Sequence, residues 1–252
     1  MPLLQLVIAE HFDGQVWRME IDPINHILFA EIRMIADRNV NFAAINLNNG
    51  ETYFKNYTVD ERWLTGIEAA FDGVLLLHFY QTENGPTHKG LAAIEASTGN
   101  LLWSNFNLSF DHLSINGPVL FDSRLHPPKY NLADIKNGTQ IRTYQPSIDT
   151  ELVQPLLLPQ IITIPNNLPP LPAEPYGNNV HYLEYNNLRI VSLHALRAGT
   201  LVQYLYIISG NKLIFEDILN TNIQKLQPEA FVMYQNKLVY IKDRSEIKVL
   251  NL

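Results

Sequence analysis

The side chains in this sequence that could do chemistry are charged groups and histidines set within apolar segments. Glu31 and Arg33 lie two residues apart in the apolar segment 27–33. Side chains two apart on a strand share one face, and charges inside a fold must be paired or reach water. The spacing therefore predicts either an anion-binding or acid–base pair at a channel, or an ion pair joining neighbouring parts of the fold.

Two histidines lie in segments that are otherwise apolar. His78 falls within residues 75–80 and His194 within residues 191–195. A histidine on such a strand is either a base or ligand that faces a channel, or a hydrogen-bonded part of the core. With Glu31 and Arg33, these two histidines are the candidate catalytic residues.

Three further residues are candidates for ligand binding. Trp63 could stack on a sugar or another flat ligand, and Glu61 could hydrogen-bond to that ligand. The alternative is a capped helix whose tryptophan packs on a sheet. His88 stands in a polar turn before Lys89, where it either contacts a ligand or caps the turn.

Composition excludes several classes of function. The 252 residues carry a net charge of -7 and no cysteine, which excludes thiol catalysis and cysteine-ligated metals and argues against nucleic-acid binding. No two of the eight histidines have the close spacing of a local metal pair, so no metal site is predicted. Phosphate-binding loops, a secretory leader and a membrane-spanning stretch are missing from the sequence, which predicts a cytoplasmic protein without a membrane or nucleic-acid partner.

Three segments, residues 42–54, 91–103 and 131–141, share one pattern. In each segment a polar residue stands four positions before a glycine, and apolar residues alternate on both sides. The pairs are Asn46 with Gly50, Glu95 with Gly99, and Asp134 with Gly138. Glycine supplies the positive φ of a tight turn, and the polar side chain accepts backbone hydrogen bonds across it. The pattern predicts a repeated β-hairpin.

The spacing of these glycines is typical of propeller blades, which repeat about every 40–50 residues. Weaker copies surround Gly14, Gly199 and residues 241–249. The sequence therefore predicts an all-β propeller of about six blades, with five to seven possible, each a four-stranded antiparallel sheet. Residues 1–252 would form a single domain, in which a strand near residues 4–9 pairs with one near 247–252.

Two segments depart from the repeat. Residues 154–176 hold seven of the 15 prolines, which favours an extended connection over a central strand. This proline-rich strap is either a connection between blades or a lid that binds a partner. Residues 58–71 predict a short helix, because one helical face would carry Trp63, Ile67, Ala70 and Phe71.

The segment 93–103 resembles the quinoprotein-type propeller repeat, whose pattern is A-x-D-x-x-T-G-x-x-x-W. Glu95 replaces the aspartate, and residues 44–54 are similar, with Phe54 in the place of the tryptophan. The resemblance implies that Trp103 and Phe54 pack between blades. The cysteines that hold the quinone in that family are missing here, so no cofactor is predicted.

Across its length the chain also resembles an uncharacterised family of small bacterial propeller-like proteins, a domain of unknown function. The resemblance rests on Trp17, segments 31–33, 61–63 and 88–90, and the run that begins at Lys237. Since that family has no known activity, the expected function follows from the fold. It is a non-catalytic binding or protein-interaction module whose partner is a protein or a small molecule. The alternative is a hydrolase or lyase that acts on a sugar or another small polar substrate in the central channel.

Overall fold

The structure is a computed structural model that describes residues 4–252, and these residues form strands and turns. None of them forms a helix that could cross a membrane. The chain divides into two compact units, one of residues 12–154 and the other of residues 4–11 with 155–252.

The strands follow one another along the chain with short connections. In order they are β1 (Gln5–His11), β2 (Gln15–Asp22), β3 (Ile27–Met34), β4 (Asn39–Asn46), β5 (Thr52–Tyr57), β6 (Thr65–Phe71), β7 (Val74–Tyr80), β8 (His88–Glu95), β9 (Leu101–Asn105), β10 (Leu108–Ser114), β11 (Gly117–Asp122), β12 (Tyr130–Ala133), β13 (Gln140–Thr143), β14 (Leu156–Leu157), β15 (Gln160–Thr163), β16 (Asn179–Tyr185), β17 (Leu188–Arg197), β18 (Thr200–Ser209), β19 (Lys212–Ile223), β20 (Val232–Tyr234), β21 (Lys237–Lys242) and β22 (Glu246–Asn251).

The unit of residues 12–154 contains three four-stranded sheets. The first sheet is β2-β3-β4-β5, the second is β6-β7-β8-β9 and the third is β10-β11-β12-β13. Every neighbouring pair is antiparallel, and each strand pairs with the next one along the chain. This is the meander of a propeller blade, and the core between the first two sheets is built from buried side chains such as Phe29, Phe42 and Leu75.

The other unit contains two five-stranded sheets. One is β15-β16-β17-β18-β19, and the other, here named the closing sheet, is β1-β22-β21-β20-β14. The closing sheet pairs β1 with β22 in antiparallel register from Gln5 and Asn251 to His11 and Glu246. The predicted pairing of the two ends of the chain is therefore confirmed.

The prediction of an all-β, propeller-type fold with antiparallel blades is confirmed. The described residues form five sheets, within the expected range of five to seven and one fewer than the favoured count of six. Three sheets have the expected four strands, while the closing sheet, which contains both β1 and β14, and the β15–β19 sheet have five each. The segment around Gly14 accounts for the difference, because it connects β1 to β2, which lie in different sheets, and forms no hairpin.

The repeated turns have the predicted geometry. Gly50, Gly99 and Gly138 have φ values of 76°, 73° and 71°. The backbone N–H of each donates to the carbonyl of the polar residue four positions earlier, at 2.8–2.9 Å. Each turn joins the third and fourth strands of its sheet.

Aromatic side chains from one sheet reach the turn of the next within this unit. The Trp103 indole N–H donates to the Ile135 carbonyl at 2.7 Å. A Cβ on Gly138 would lie 2.7 Å from the Trp103 ring. Phe54 has the same relation to Gly99, with a ring carbon 3.6 Å from the corresponding Cβ position.

The predicted helix over residues 58–71 is wrong. Residues 65–71 form β6, and a β-bulge between Ile67 and Ala69 leaves Glu68 without a paired partner on β7. The extra residue shifts the alternation of strand side chains by one. Ile67 and Ala70, three residues apart, therefore pack into the same core cluster, and this spacing is the one expected of a helix.

Bulges recur at the first strand of each of these three sheets. In β2 the bulged residue is Trp17, in β6 it is Glu68, and in β10 it is Asp111. A bulge bends its strand and redirects the side chain of the extra residue. Two of these redirected residues lie in the candidate site.

Candidate functional site

Glu31 and Arg33 lie on β3 and share one face, as their spacing predicts. The Arg33 Nε donates to Glu31 Oε1 at 2.7 Å, and the same guanidinium donates to the Thr65 carbonyl at 3.2 Å. The other carboxylate oxygen of Glu31 accepts the Ile67 N–H at 2.9 Å. Glu31 is 2% exposed. The pair therefore connects the first sheet to β6, and both carboxylate oxygens are used.

Two tryptophans flank the guanidinium of Arg33. Its central carbon lies 5.4 Å from the Trp17 ring centroid and 5.2 Å from that of Trp63. Arg38 lies over Trp63 as well, at 5.6 Å, and pairs with Glu83 at 2.7 Å. These contacts are cation–π interactions, and they stabilise an alternating stack of two tryptophan rings and two guanidinium groups. Trp17 stands at the outer end and is 60% exposed.

The ligand-binding candidates Glu61 and Trp63 both have structural partners. Glu61 Oε1 accepts the backbone N–H groups of Trp63 and Leu64, at 3.1 and 2.9 Å. Trp63 packs against the core cluster between the first two sheets. The Glu61 carboxylate closes the turn that leads into β6, and Trp63 supports Arg33.

The second sheet brings two histidines and a glutamate together. Glu68 on β6, His78 on β7 and His88 on β8 have ligand atoms that all lie within 4.8 Å of one another. Glu68 Oε2 is 2.8 Å from His88 Nδ1 and 3.2 Å from His78 Nδ1. The two imidazole rings are stacked, with centroids 3.6 Å apart and planes 5° apart. Tyr80 meets both rings edge-on.

Charge and burial differ across this cluster, named here the His–Glu cluster. His78 is 1% exposed, Glu68 11% and His88 36%. Burial alone would raise the pKa of the Glu68 carboxyl, but the neighbouring imidazoles of His78 and His88 outweigh burial and lower that pKa. The carboxylate is thus held in its charged form. Neither ring nitrogen of His78 has a well-aligned hydrogen-bond partner.

Gly66 is the point where the two groups of candidates meet. A Cβ at this position would lie 3.0 Å from Glu31 Oε2 and 3.1 Å from both Cε1 and Nε2 of His78. Such contacts are tighter than ordinary van der Waals packing, so an added Cβ would push Glu31 or His78 aside by a few tenths of an ångström. Glu31, Arg33, His78 and His88 are therefore gathered around the start of β6.

His194 belongs to the other unit and has its own partners. Its Nε2 accepts the Gln227 N–H at 3.0 Å, which requires an unprotonated nitrogen. His181 Nε2 lies 3.0 Å from the Pro228 carbonyl and donates to it. Burial first, and then the charge of His181, lower the pKa of His194 to about 4. The two histidines fasten residues 227–228 to the sheet.

Gln227 also lines a polar groove of about 560 Å³ at the end of β19. Other residues along it include Asn220, Lys225 and Arg244. Apart from the contact of Gln227 with His194, this groove involves none of the residues that the sequence singled out.

The proline-rich strap supplies the edge strand of each sheet in its unit. β14 pairs with β20, and β15 pairs with β16. Leu157, Leu158 and Ile161 are exposed, by 48%, 63% and 61%. Ile162 and the apolar residues after it pack onto the core of the β15–β19 sheet. The strap therefore connects two sheets and presents an apolar outer side.

Sequence reasoning missed Glu68, and it treated Trp17 only as a mark of family resemblance. The sequence places Glu68 and His78 ten residues apart, and His88 ten residues further. Such distances carry no metal-pair signal, because the contact arises across strands. The helical interpretation of residues 58–71 also removed Glu68 from any sheet. In the structure Gly66 pairs with His78, and the bulged Glu68 reaches the same imidazole from the neighbouring strand.

Comparison with protein families gives one match, and it covers the part of the chain that contains the His–Glu cluster. A family model described as a domain of unknown function (DUF4905) matches residues 21–103, which is less than half of the chain. The matched segment contains Glu31, Glu68, His78 and His88. No curated protein matches the sequence.

Solved structures give distant matches that span the chain. BamB from Moraxella catarrhalis has 8% identity and a TM-score of 0.34, covering 99% of this chain and all (100%) of that one. A hypothetical protein from Leishmania major has 8% identity and a TM-score of 0.28, covering 99% and 90%. The Dos1 propeller has 12% identity and a TM-score of 0.18, covering 99% and 76%. The chain is similar to a domain of unknown function over residues 21–103, and its fold rests on its own five sheets.

Proposed function

We propose that the protein is a non-catalytic protein-interaction module and that Trp17 is the centre of its partner-binding surface in the unit of residues 12–154. The observation that carries this proposal is a large aromatic ring that is 60% exposed although it lies within a paired strand. The bulge at Trp17 turns the side chain away from the regular alternation of β2.

The residues beneath Trp17 support this proposal because they hold the ring in place. Arg33 lies against the ring, and its own guanidinium is fixed by Glu31 and by the Thr65 carbonyl. A side chain that is already ordered loses little conformational entropy when a partner covers it. Tryptophan and arginine are also the residue types most enriched among interface residues that dominate binding energy.

The exposure of Trp17 favours a protein partner over a small molecule. Small-molecule sites are concave and enclose most of their ligand. Trp17 instead projects from an edge strand, where an apolar or aromatic side chain of a partner can pack on its free face. The apolar outer side of the proline-rich strap is a second surface of this kind in the other unit.

The experiment is site-specific photo-cross-linking in cells that naturally produce the protein. A photoreactive residue replaces Trp17 in one variant and Ile35 in the control, since Ile35 is equally exposed, at 61%, and lies in the same unit. Position 17 is expected to capture a protein that position 35 does not. The captured protein is then purified and its affinity for the full chain measured.

Trp17→Ala is expected to weaken that affinity by roughly thirty-fold, which corresponds to about 2 kcal/mol for a dominant interface residue. Ile35→Ala should leave the affinity unchanged. Identical cross-linking from both positions, or an affinity that Trp17→Ala does not alter, would refute the proposal. A thermal shift with sugars that requires Trp17 would assign the ring to a small ligand instead.

A hydrolase or lyase is a second candidate, favoured by the approach of Glu31 and His78 to one point beside Gly66. A carboxylate and an imidazole at that distance could share general acid–base work. The test is turnover of chromogenic glycosides and esters by the purified chain. Activity that survives purification and is lost in His78→Asn, while Ile35→Ala keeps it, would favour this candidate over the interaction module.

A further inference from the structure

We infer that the His–Glu cluster is a binding site for one divalent transition-metal ion, with Glu68, His78 and His88 as its protein ligands. This inference is independent of the partner surface at Trp17, because it rests on different side chains. It begins with the chemistry of the donors. Two imidazoles and one carboxylate form the ligand set of zinc sites that keep one position open.

The three ligand atoms already lie close enough to share one ion. All are within 4.8 Å of one another, and the Glu68 oxygen lies 2.8 Å and 3.2 Å from the two Nδ1 atoms. Zinc–ligand bonds are about 2.0–2.2 Å. Because the two rings are stacked with planes 5° apart, both imidazoles must rotate out of the stack before their nitrogens point at a common ion. Hydrogen bonding between Glu68 and His88 would be exchanged for coordination.

A second and independent observation is the state of His78. The ring is 99% removed from solvent, at 1% exposed, and neither of its nitrogens has an aligned hydrogen-bond partner. A buried polar atom without a partner destabilises the fold, because it has lost its hydrogen bonds to water. A bound ion would satisfy the nitrogen that faces Glu68, and it would explain why a histidine occupies an otherwise apolar strand.

The strands hold the ligands in place before any ion binds. Each ligand comes from a different strand of one sheet, and the bulge at Glu68 turns its carboxylate toward His78. Tyr80 packs against both imidazoles, with ring centroids at 4.7 and 5.2 Å. Sites built on packed strands are preorganised, so little ordering is required on binding.

The cluster is also accessible, and its charge suits a cation. His88 is 36% exposed and opens the site to solvent, which leaves room for a water molecule or a ligand from a partner. Glu68 contributes an acidic side chain next to the proposed ion. Imidazole donors favour zinc, copper, iron and nickel over magnesium or calcium, which prefer oxygen.

The test uses the full chain, freed of metal by a chelator and then dialysed. Zinc chloride is added in an isothermal titration, and bound zinc is counted by mass spectrometry after desalting. The expected result is one zinc per chain and no binding of magnesium. A visible spectrum with cobalt(II) reports nitrogen and oxygen coordination without any assay of activity.

His88→Ala and Glu68→Gln are the decisive variants. Each is expected to weaken zinc binding by more than about tenfold, since loss of even an outer-shell partner costs ten- to hundredfold. His88 is partly exposed, so its removal should leave the fold intact, as checked by circular dichroism. His112→Ala is the matched control, because His112 pairs with Asp111 in the same unit but has no third ligand.

Less than one zinc per chain after desalting would overturn the inference. Equal zinc affinity in the wild type and in folded His88→Ala would overturn it as well. Binding lost in His112→Ala but kept in His88→Ala would place the zinc at the surface pair of His112 and Asp111.

Discussion

His78 and His194 are both buried histidines on apolar strands, yet their surroundings give them different chemistry. His194 accepts a backbone hydrogen bond, so its neutral form is built into the fold. His78 has no aligned partner and faces a charged carboxylate. The sequence treats the two residues alike, since both stand in largely apolar segments. Only cross-strand neighbours distinguish them.

The neutral state of His194 predicts a pH-dependent stability. The folded pKa is about 4, against an ordinary value near 6.5, because burial and the charge of His181 oppose protonation. The unfolded chain binds the proton more readily, so stability is full above pH 6.5 and falls as the pH drops toward 4. The free energy of unfolding should decrease by up to about 3 kcal/mol over that window.

Denaturant unfolding between pH 4 and pH 7 measures this dependence. His194→Gln should flatten the curve, because glutamine can still accept the Gln227 N–H but does not titrate. His126→Gln, a change at an exposed histidine, should keep the wild-type slope. The same slope in wild type and His194→Gln would contradict the prediction.

For single residues, the sequence predicts which face of a strand a side chain occupies better than it predicts the hydrogen-bond partners of that side chain. The two-residue spacing of Glu31 and Arg33 places them correctly on one face of β3. The spacing does not reveal that Arg33 also donates to the Thr65 carbonyl or that Glu31 also accepts the Ile67 N–H, because these partners lie in another sheet. Glu68 was missed since an unpaired bulge residue has no signature in apolar periodicity.

In the unit of residues 12–154, the bulge in the first strand of a sheet carries different side chains in different sheets. The residue two before the bulge pairs with Arg33 in the first sheet and with His78 in the second. The bulged residues themselves are Trp17 and Glu68. The same backbone geometry therefore supports an arginine under a tryptophan in one sheet and a histidine beside a glutamate in the next.

The repeated turn predicts a difference between two glycine substitutions. Gly138→Ala places a methyl group 2.7 Å from the Trp103 ring and forces a residue with a side chain to φ 71°. Gly199→Ala has the same backbone strain, at φ 83°, but no atom within 4 Å. Gly199→Ala should cost about 1–2 kcal/mol, the ordinary penalty for a left-handed residue, and Gly138→Ala distinctly more.

Chemical denaturation of the two variants tests this difference. The additional loss in Gly138→Ala measures the packing of Trp103 on the turn of the next sheet. Equal losses in both variants would mean that the indole moves aside without cost.

The sequence predicts turns and strands correctly where residues close together in the chain determine the structure. The turns at Gly50, Gly99 and Gly138 follow from a polar residue and a glycine at fixed spacing, and the structure has all three. Residues 58–71 were misread because a bulge gives strand residues a helix-like spacing. The segment at Gly14 was misread because a connection between sheets can also contain an acid and a glycine.

In the whole molecule, the closing sheet depends on the pairing of β1 with β22. Ile8 on β1 is 4% exposed, and burial of an isoleucine contributes about 1.5–3 kcal/mol. Deletion of residues 1–11 should therefore lower the midpoint of thermal unfolding by roughly 3–12 °C, at about 2–4 °C per kcal/mol. Hydrogen exchange should increase in β22, where the amides lose their partner.

A synthetic peptide of residues 4–12 provides the control for this deletion. Added to the shortened chain, it should restore slow exchange in β22, because the strand can pair from a separate molecule. Slow exchange in β22 without β1 or the peptide would show that the pairing does not stabilise this sheet.

The pairing of β1 with β22 also has a consequence for synthesis of the chain. Translation proceeds at about 5–20 residues per second, so roughly ten to fifty seconds separate the emergence of His11 from that of Glu246. The sheets of residues 12–154 pair strands that follow one another, and they can assemble on the ribosome. β1 emerges before the other described strands and pairs with the last of them, so the nascent chain carries an unpaired apolar strand until residues 246–251 have been made.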